Sequence, residues 1–355
     1  MADWVLKNAL VNGSLTDITI DRKTGKILSV EKTDQAGHDM GSAEIIAGFV
    51  DIHSHGCMGY DTMDGDKLPE MSQFLAEKGT TAWCPTTMTA TVEDIRRVVT
   101  ASAKPHKGAH ILGFHLEGPY ISPQYCGAQK ADLAKAPDAA DFAELDGIAL
   151  MTLAPELAGA MEYIQNASFP IALGHTAADF ETAQKAFQSG AGGVTHTFNA
   201  MPPLHHREPS VVGAALVENA YAQVICDGKH IHPAVILALY RMFGADRMIL
   251  ISDSMRATGL PDGLYELGGQ PVIVKDSVAR TESGALAGST STLADCVRCA
   301  IKFGIPRADA LKMASETPAK YLGIKKGKIA PGYDADLLVV DKDLNIKQVI
   351  LCNQL

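Results

Sequence analysis

Eight short apolar runs, most of them separated by an amphipathic stretch, constrain this 355-residue chain more than any other feature. They occupy residues 45–55, 81–87, 111–117, 148–154, 171–175, 193–199, 222–227 and 248–253, and all but the fourth end in a polar residue. Segments between them open on helix-start signals, as in Thr91-Val-Glu-Asp-Ile-Arg-Arg-Val-Val and Asp179-Phe-Glu-Thr-Ala-Gln-Lys-Ala-Phe, where a side-chain oxygen can accept an unpaired N–H of the first turn. Strands alternating with helices pair in parallel, and eight of them predict a closed (β/α)8 TIM barrel with its chemistry at the carboxyl ends of the strands.

The flanks read differently. Residues 1–46 form short alternating strands, and 327–355 continue alike, with a Pro-Gly turn before Tyr-Asp-Ala-Asp-Leu-Leu-Val-Val. The two ends are expected to pair as one small β-sandwich domain (1–46 plus 327–355) beside the barrel (47–326). After the eighth run, alternation over 263–284 predicts a hairpin near the barrel mouth, followed by closing helices at about 290–304 and 307–320.

A net charge of −10 without a Lys/Arg-rich run argues against nucleic acid or an anionic membrane surface as partner. The first residues lack a basic flank and apolar core, and no apolar stretch approaches bilayer length. A soluble, cytoplasmic protein is the expectation. Seven scattered cysteines fit reduced thiols. The single Cys-x-x-Cys, Cys296 to Cys299, lies among apolar residues at helical spacing and reads as a buried helix face.

The polar strand ends carry the chemistry. His53 and His55 stand two apart on the first strand, so both project to one face; they are either metal ligands or a packed core pair. Glu117, in Gly-Phe-His115-Leu-Glu117-Gly-Pro, is a carboxylate at the barrel mouth that must be paired, protonated or bound to a cation. No basic residue stands at the other strand ends, which favours a cation. His175 and His196, ending the fifth and sixth runs, would complete a Glu-His-His set that leaves a coordination position for water. Asp253, ending the eighth, can take a proton from that water and return it to a leaving amine. His230 could hold a substrate hydroxyl or carbonyl, whereas His232 has no clear place and His38, His106 and His110 read as surface or structural. Arg207, on a Pro-rich loop, either grips a phosphate through paired hydrogen bonds or pairs with Glu208.

These motifs resemble N-acetylglucosamine-6-phosphate deacetylases of the amidohydrolase superfamily. The likeness runs from Ala-Gly-Phe-Val-Asp-Ile-His through His-Leu-Glu-Gly-Pro, Gly-His-Thr, Thr-His-Thr-Phe-Asn-Ala-Met, Asp-Gly-Lys-His and Ser-Asp-Ser-Met to the closing Gly-Tyr-Asp-Ala-Asp-Leu. It implies deacetylation of N-acetyl-D-glucosamine 6-phosphate, with Glu117, His175 and His196 as principal ligands of a divalent metal and Asp253 as catalytic acid/base. Asn199, Ala200, Arg207 and His230 become substrate contacts, Arg207 reaching in from a neighbouring subunit of a homodimer. Backbone around Leu286, Ala287 and Gly288 closes over the sugar.

Two departures stand out. Some members of the family carry amides in place of both first-strand histidines and keep one metal, whereas His53 and His55 remain here; one ion or two is therefore open, as is zinc or iron. Many relatives have His after Gly-Ala in the loop following strand three, where this chain has Ala128-Gln129. A neutral Gln polarises an amide carbonyl less, leaving more to the metal or to His230. The galactosamine epimer stays open as substrate. A dihydroorotase-like cyclic-amide hydrolase is disfavoured because the fourth run, Ile-Ala-Leu-Met-Thr-Leu-Ala, has no Lys, and an inactive scaffold because the candidate ligands are intact.

Overall fold

The computed structural model describes residues 3–101 and 107–354; His106 lies outside the described residues. Strands form within all eight expected runs: Phe49–Ser54, Thr80–Pro85, Phe114–Glu117, Ile148–Leu153, Ile171–Leu173, Gly193–Val194, Tyr221–Ile225 and Met248–Ile251. The third to eighth make one six-stranded parallel ladder; the first and second share a three-stranded one with His110–Ile111. Isolated parallel bridges, Thr86 to His115 and Ser54 to Ser254, link the two. The result is a curled parallel sheet with the strand sequence of a TIM barrel.

Why the runs are apolar almost throughout follows from this arrangement, since a parallel sheet is covered on both faces. Val50, Ile52, Ala82, Cys84, Leu150, Ala172, Ile225, Ile249 and Ile251 pack together on one face. Alternate residues, including Trp83, Leu116, Met151, Leu173, Val224 and Leu250, pack with the helices on the other. Asp179 caps the helix Phe180–Gln188, accepting from Thr182 N at 2.8 Å as its position in the sequence suggests.

Strands from both ends of the chain share a seven-stranded sheet, in which Ile346–Ile350, Leu337–Val340, Glu44–Ala47, Trp4–Val11, Ser14–Asp21 and Lys26–Val30 lie in order and His38–Asp39 pairs beside Trp4–Val11. The sheet turns back on itself: Ile27 N donates to Tyr333 O and Ala335 N to Gly25 O. Its apolar side chains, among them Leu6, Ile18, Ile20, Ile45, Leu337 and Val339, gather in their own cluster. The apolar run 45–55 thus serves two sheets, dividing at Gly48, where a Cβ would overlap the Thr81 side chain.

Three expected boundaries move. The fifth, sixth and eighth strands stop at Leu173, Val194 and Ile251, short of residues 175, 199 and 253, because the backbone turns into the left-handed region at His175 (φ 47°), His196 (φ 27°) and Asp253 (φ 48°). The expected hairpin is a three-stranded antiparallel sheet, Gly263–Leu267, Gln270–Lys275 and Val278–Thr281. The last expected helix is two, Arg307–Met313 and Glu316–Tyr321; Pro318 cannot donate to, and its ring clashes with, the carbonyl of Ala314, so the first helix ends there. Cys296 and Cys299 sit on the helix Leu293–Lys302 as unbridged thiols, and burial pushes Cys296 well up. Among the described residues, no helix is long and apolar enough to cross a membrane.

Candidate active site

Six side chains from five strand ends converge at the carboxyl end of the curled sheet, in two groups whose ligand atoms lie within 4.8 Å of one another: Glu117, His175 and His196; His53, His55 and Asp253. All six are buried. Glu117 Oε1 lies 3.2 Å from His175 Nε2, 3.0 Å from His196 Nε2 and 3.4 Å from His53 Nε2. Asp253 Oδ1 lies 3.4 Å from His53 Nε2 and 3.3 Å from His55 Nε2, and Glu117 Oε2 is 3.3 Å from His55 Nε2. The carboxylates thus join the groups.

The backbone turns noted at His175, His196 and Asp253 are costly for residues with a Cβ, and such strain collects where a side chain must be aimed. Outer partners fix the imidazoles. His175 Nδ1 donates to Tyr125 O at 2.9 Å, His55 Nδ1 to Thr86 O at 3.2 Å and His53 Nδ1 to Gln223 Oε1 at 3.4 Å. With those protons committed, His53, His55 and His175 turn an unprotonated Nε2 lone pair inward whenever the ring is neutral. Yet His53 and His55 Nε2 are 3.2 Å apart, and His175 and His196 Nε2 are 3.0 Å apart. Lone pairs that face each other at such distances repel unless a proton or a metal ion lies between them, and imidazole with carboxylate is a donor set that suits a divalent metal. The residues present therefore fit a metal.

Electrostatics run the same way. Burial, helped by the neighbouring His55 and His196, pushes His53 down to about 4 despite Glu117 and Asp253. Burial also works against a charge on His55, but contacts with Asp253 and Glu117 outweigh it and hold this ring well above its usual value. Glu117 and Asp253, though desolvated, are kept below the ordinary carboxylate range by the surrounding histidines.

A cavity of about 320 Å³ opens over these groups. Of the expected substrate contacts, Ala128, Gln129, Asn199, Ala200, His230, Leu286 and Gly288 border it. Ala287 does not; its side chain is buried with Met88 and Met255 in an apolar cluster. Arg207 lies outside the lining, exposed on the loop after the sixth strand, with Nη1 2.6 Å from His206 Nε2. Met88, Leu267 and Ala285 also border the cavity and carry no signal in the sequence, whereas Phe198, another lining residue, lies within the Thr-His-Thr-Phe-Asn-Ala-Met motif. His115 is fully buried beneath the site, held by Ile52 O (3.0 Å) and Thr152 Oγ1 (2.7 Å). His232 caps the helix Pro233–Phe243, its Nδ1 accepting from Ala234 N at 3.2 Å.

Comparison with known proteins agrees with this geometry. The amidohydrolase family model matches residues 45–352. An N-acetylglucosamine-6-phosphate deacetylase of Vibrio furnissii is 38% identical over 93% of this chain and 88% of its own. An N-acetylgalactosamine-6-phosphate deacetylase of Escherichia coli O157:H7 is 35% identical over 97% and 96%. A mutant N-acetyl-D-glucosamine-6-phosphate deacetylase from Mycobacterium smegmatis, solved in complex with N-acetyl-D-glucosamine-6-phosphate, superimposes with a TM-score of 0.91 at 32% identity over 99% of this chain and 98% of that one. The likeness read from the motifs holds over nearly the whole length, and the chain belongs to the amidohydrolase family.

Proposed function

We propose that this protein hydrolyses the acetamide of N-acetyl-D-glucosamine 6-phosphate, giving D-glucosamine 6-phosphate and acetate in amino-sugar catabolism. The observation that carries the reading is the convergence of Glu117, His175, His196, His53, His55 and Asp253 under one cavity, in a chain whose full-length relatives bear that activity in their names.

Glu117, His175 and His196 would hold a zinc or iron ion, with His53 and His55 able to hold a second. Such an ion, when bound, supplies Lewis acidity that brings water toward ionisation at neutral pH and polarises a carbonyl. Asp253 accepts the proton of the attacking water as the new C–O bond forms, then delivers it to nitrogen as the C–N bond breaks, so that acetate and amine leave balanced. His230 is oriented by Asp227, whose Oδ2 accepts its Nδ1–H at 2.8 Å, leaving Nε2 for the substrate. Asn199, Ala200, Leu286 and Gly288 shape the sugar site. Arg207 would reach a phosphate in the cavity of a second subunit of a homodimer.

Architecturally, the bridges that join the two parallel ladders support a closed eight-stranded barrel over 47–326. The folded-back terminal sheet supports a separate β-sandwich of 1–46 plus 327–355. A cytoplasmic setting accords with the unbridged cysteines.

The E. coli relative named for the galacto epimer keeps that substrate in view. Acetate release is therefore measured with both N-acetylhexosamine 6-phosphates and with unphosphorylated N-acetylglucosamine. A faster rate on the gluco 6-phosphate is expected, and equal rates with and without phosphate would remove the role given to Arg207. Asp253→Asn should abolish turnover with metal content near wild type.

A further inference from the structure

Gln129 joins the backbone that follows the second strand to the carboxylate that ends the third. Its Oε1 accepts from Thr89 N at 2.7 Å, and its Nε2 donates to Glu117 Oε2. The first bond settles which end of the amide faces Glu117: the acceptor end is engaged by the backbone after the second strand, so the end turned toward the carboxylate is a donor. Gln129 is itself buried, with 5% of its surface exposed, in a site where an amide N–H on a carboxylate is poorly replaced by water. The two oxygens of Glu117 are thereby distinguished. Oε1 faces His175 and His196, whereas Oε2 faces His55 and the Gln129 amide.

We infer that Gln129 is a positioning residue for the metal, holding Glu117 by Oε2 so that Oε1 is presented to the ion shared with His175 and His196. This deepens the reading of a metal-dependent hydrolase and rests on it only for the presence of a metal. Groups that hydrogen-bond a ligating carboxylate fix its orientation, and their loss weakens metal binding by about 10–100-fold. The amide of Gln129 therefore acts through Glu117, and its contribution is read in affinity for the ion.

The test is a competition titration of zinc against a chromogenic chelator, on wild type and on Gln129→Met, which keeps the bulk and lacks the donor. A rise in zinc Kd of about 10–100-fold is expected, with the midpoint of the zinc-activation curve moving by the same factor. An unchanged Kd overturns the inference, whatever happens to KM for the sugar. Should Gln129→Met not fold, selective 15N labelling of glutamine side chains in the zinc-loaded wild type decides: one carboxamide proton shifted downfield and protected from exchange is expected, and its absence overturns the inference. Because both readouts concern zinc and not the sugar, a failure of the proposed substrate leaves them standing.

Discussion

Asp227 Oδ2 and His230 Nδ1 lie 2.8 Å apart, and Asp227 Oδ1 also accepts the backbone N–H of His230 at 3.0 Å. One carboxylate thus fixes both the ring and the backbone of a residue three positions later. Asp227→Asn would remove the acceptor that holds the ring and its tautomer. Its kcat/KM should fall on the order of 10-fold, about 1.4 kcal/mol. Combined with His230→Asn, the loss should fall well short of the sum of the single losses, because both act through the same imidazole. Steady-state kinetics on the two single variants and the double would check it; full additivity counts against the assignment.

Glu117 lies within 3.4 Å of four imidazole nitrogens, those of His53, His55, His175 and His196, so neutralising it removes the one negative ligand of its group. Glu117→Gln should leave purified protein with far less bound metal than wild type by elemental analysis, and acetate release should disappear with it. His115→Asn is the control, since His115 packs beneath the site on Ile52 O and Thr152 Oγ1. That variant should lose stability more than metal.

Much of this site could be read from residue types at strand ends. Glu117, His175, His196, His53, His55 and Asp253 are polar groups where an apolar run stops, and a sheet covered on both faces leaves few such positions. What orients them is far less legible. The acceptors for His175 and His55 are the carbonyls of Tyr125 and Thr86, and a backbone carbonyl has no sequence identity. Gln223 and Asp227 lie in the seventh run, where only the fold brings Gln223 to His53, 170 positions away. The three strands stop before their apolar runs do for a related reason: an apolar run shows burial and not φ, and His175, His196 and Asp253 leave the extended region while still buried. Arg207 is a case of another kind, since a single chain does not bring it to the cavity.

Gly48 marks the point where one apolar run passes from the terminal sheet to the central one. A Cβ there would come within 2.7 Å of Thr81 Cβ and overlap the rest of that side chain. Thr81 is buried, and its Oγ1 donates to Phe49 O at 3.3 Å, so it has little freedom to give way. Gly48→Ala should cost about 1–3 kcal/mol in stability, measured by urea denaturation. Adding Thr81→Ala removes the two nearest atoms, Oγ1 and Cγ2, and leaves only the Cβ contact, so the loss for the pair should fall short of the sum of the single losses. A Gly48→Ala protein with a wild-type midpoint would show that the two sheets are not held together through this contact.

The closing Gly-Tyr-Asp-Ala-Asp-Leu segment has a structural task. Asp336 Oδ2 accepts from the buried Lys326 ammonium at 2.7 Å, Asp334 Oδ2 stands 2.8 Å from the same Nζ, and Asp336 Oδ1 accepts from Cys352 N at 2.9 Å. Burial opposes the charge on Asp336, but His110 and Lys326 outweigh it and hold the carboxyl well below the usual range. Because the folded-state pKa is depressed, the stabilisation is present above the unfolded value, about 3.9, and is lost as pH falls through that value toward the folded one. Asp336→Asn leaves Lys326 with Asp334 alone and should cost about 3 kcal/mol at neutral pH. The gap between wild type and variant in urea midpoint should hold from pH 7 to 5 and narrow below about 4, since the unfolded wild-type chain then takes up a proton at this carboxyl that the folded state does not. A gap that stays constant down to pH 3 would mean that Asp336 stabilises the terminal sheet through its shape and hydrogen bonding rather than its charge.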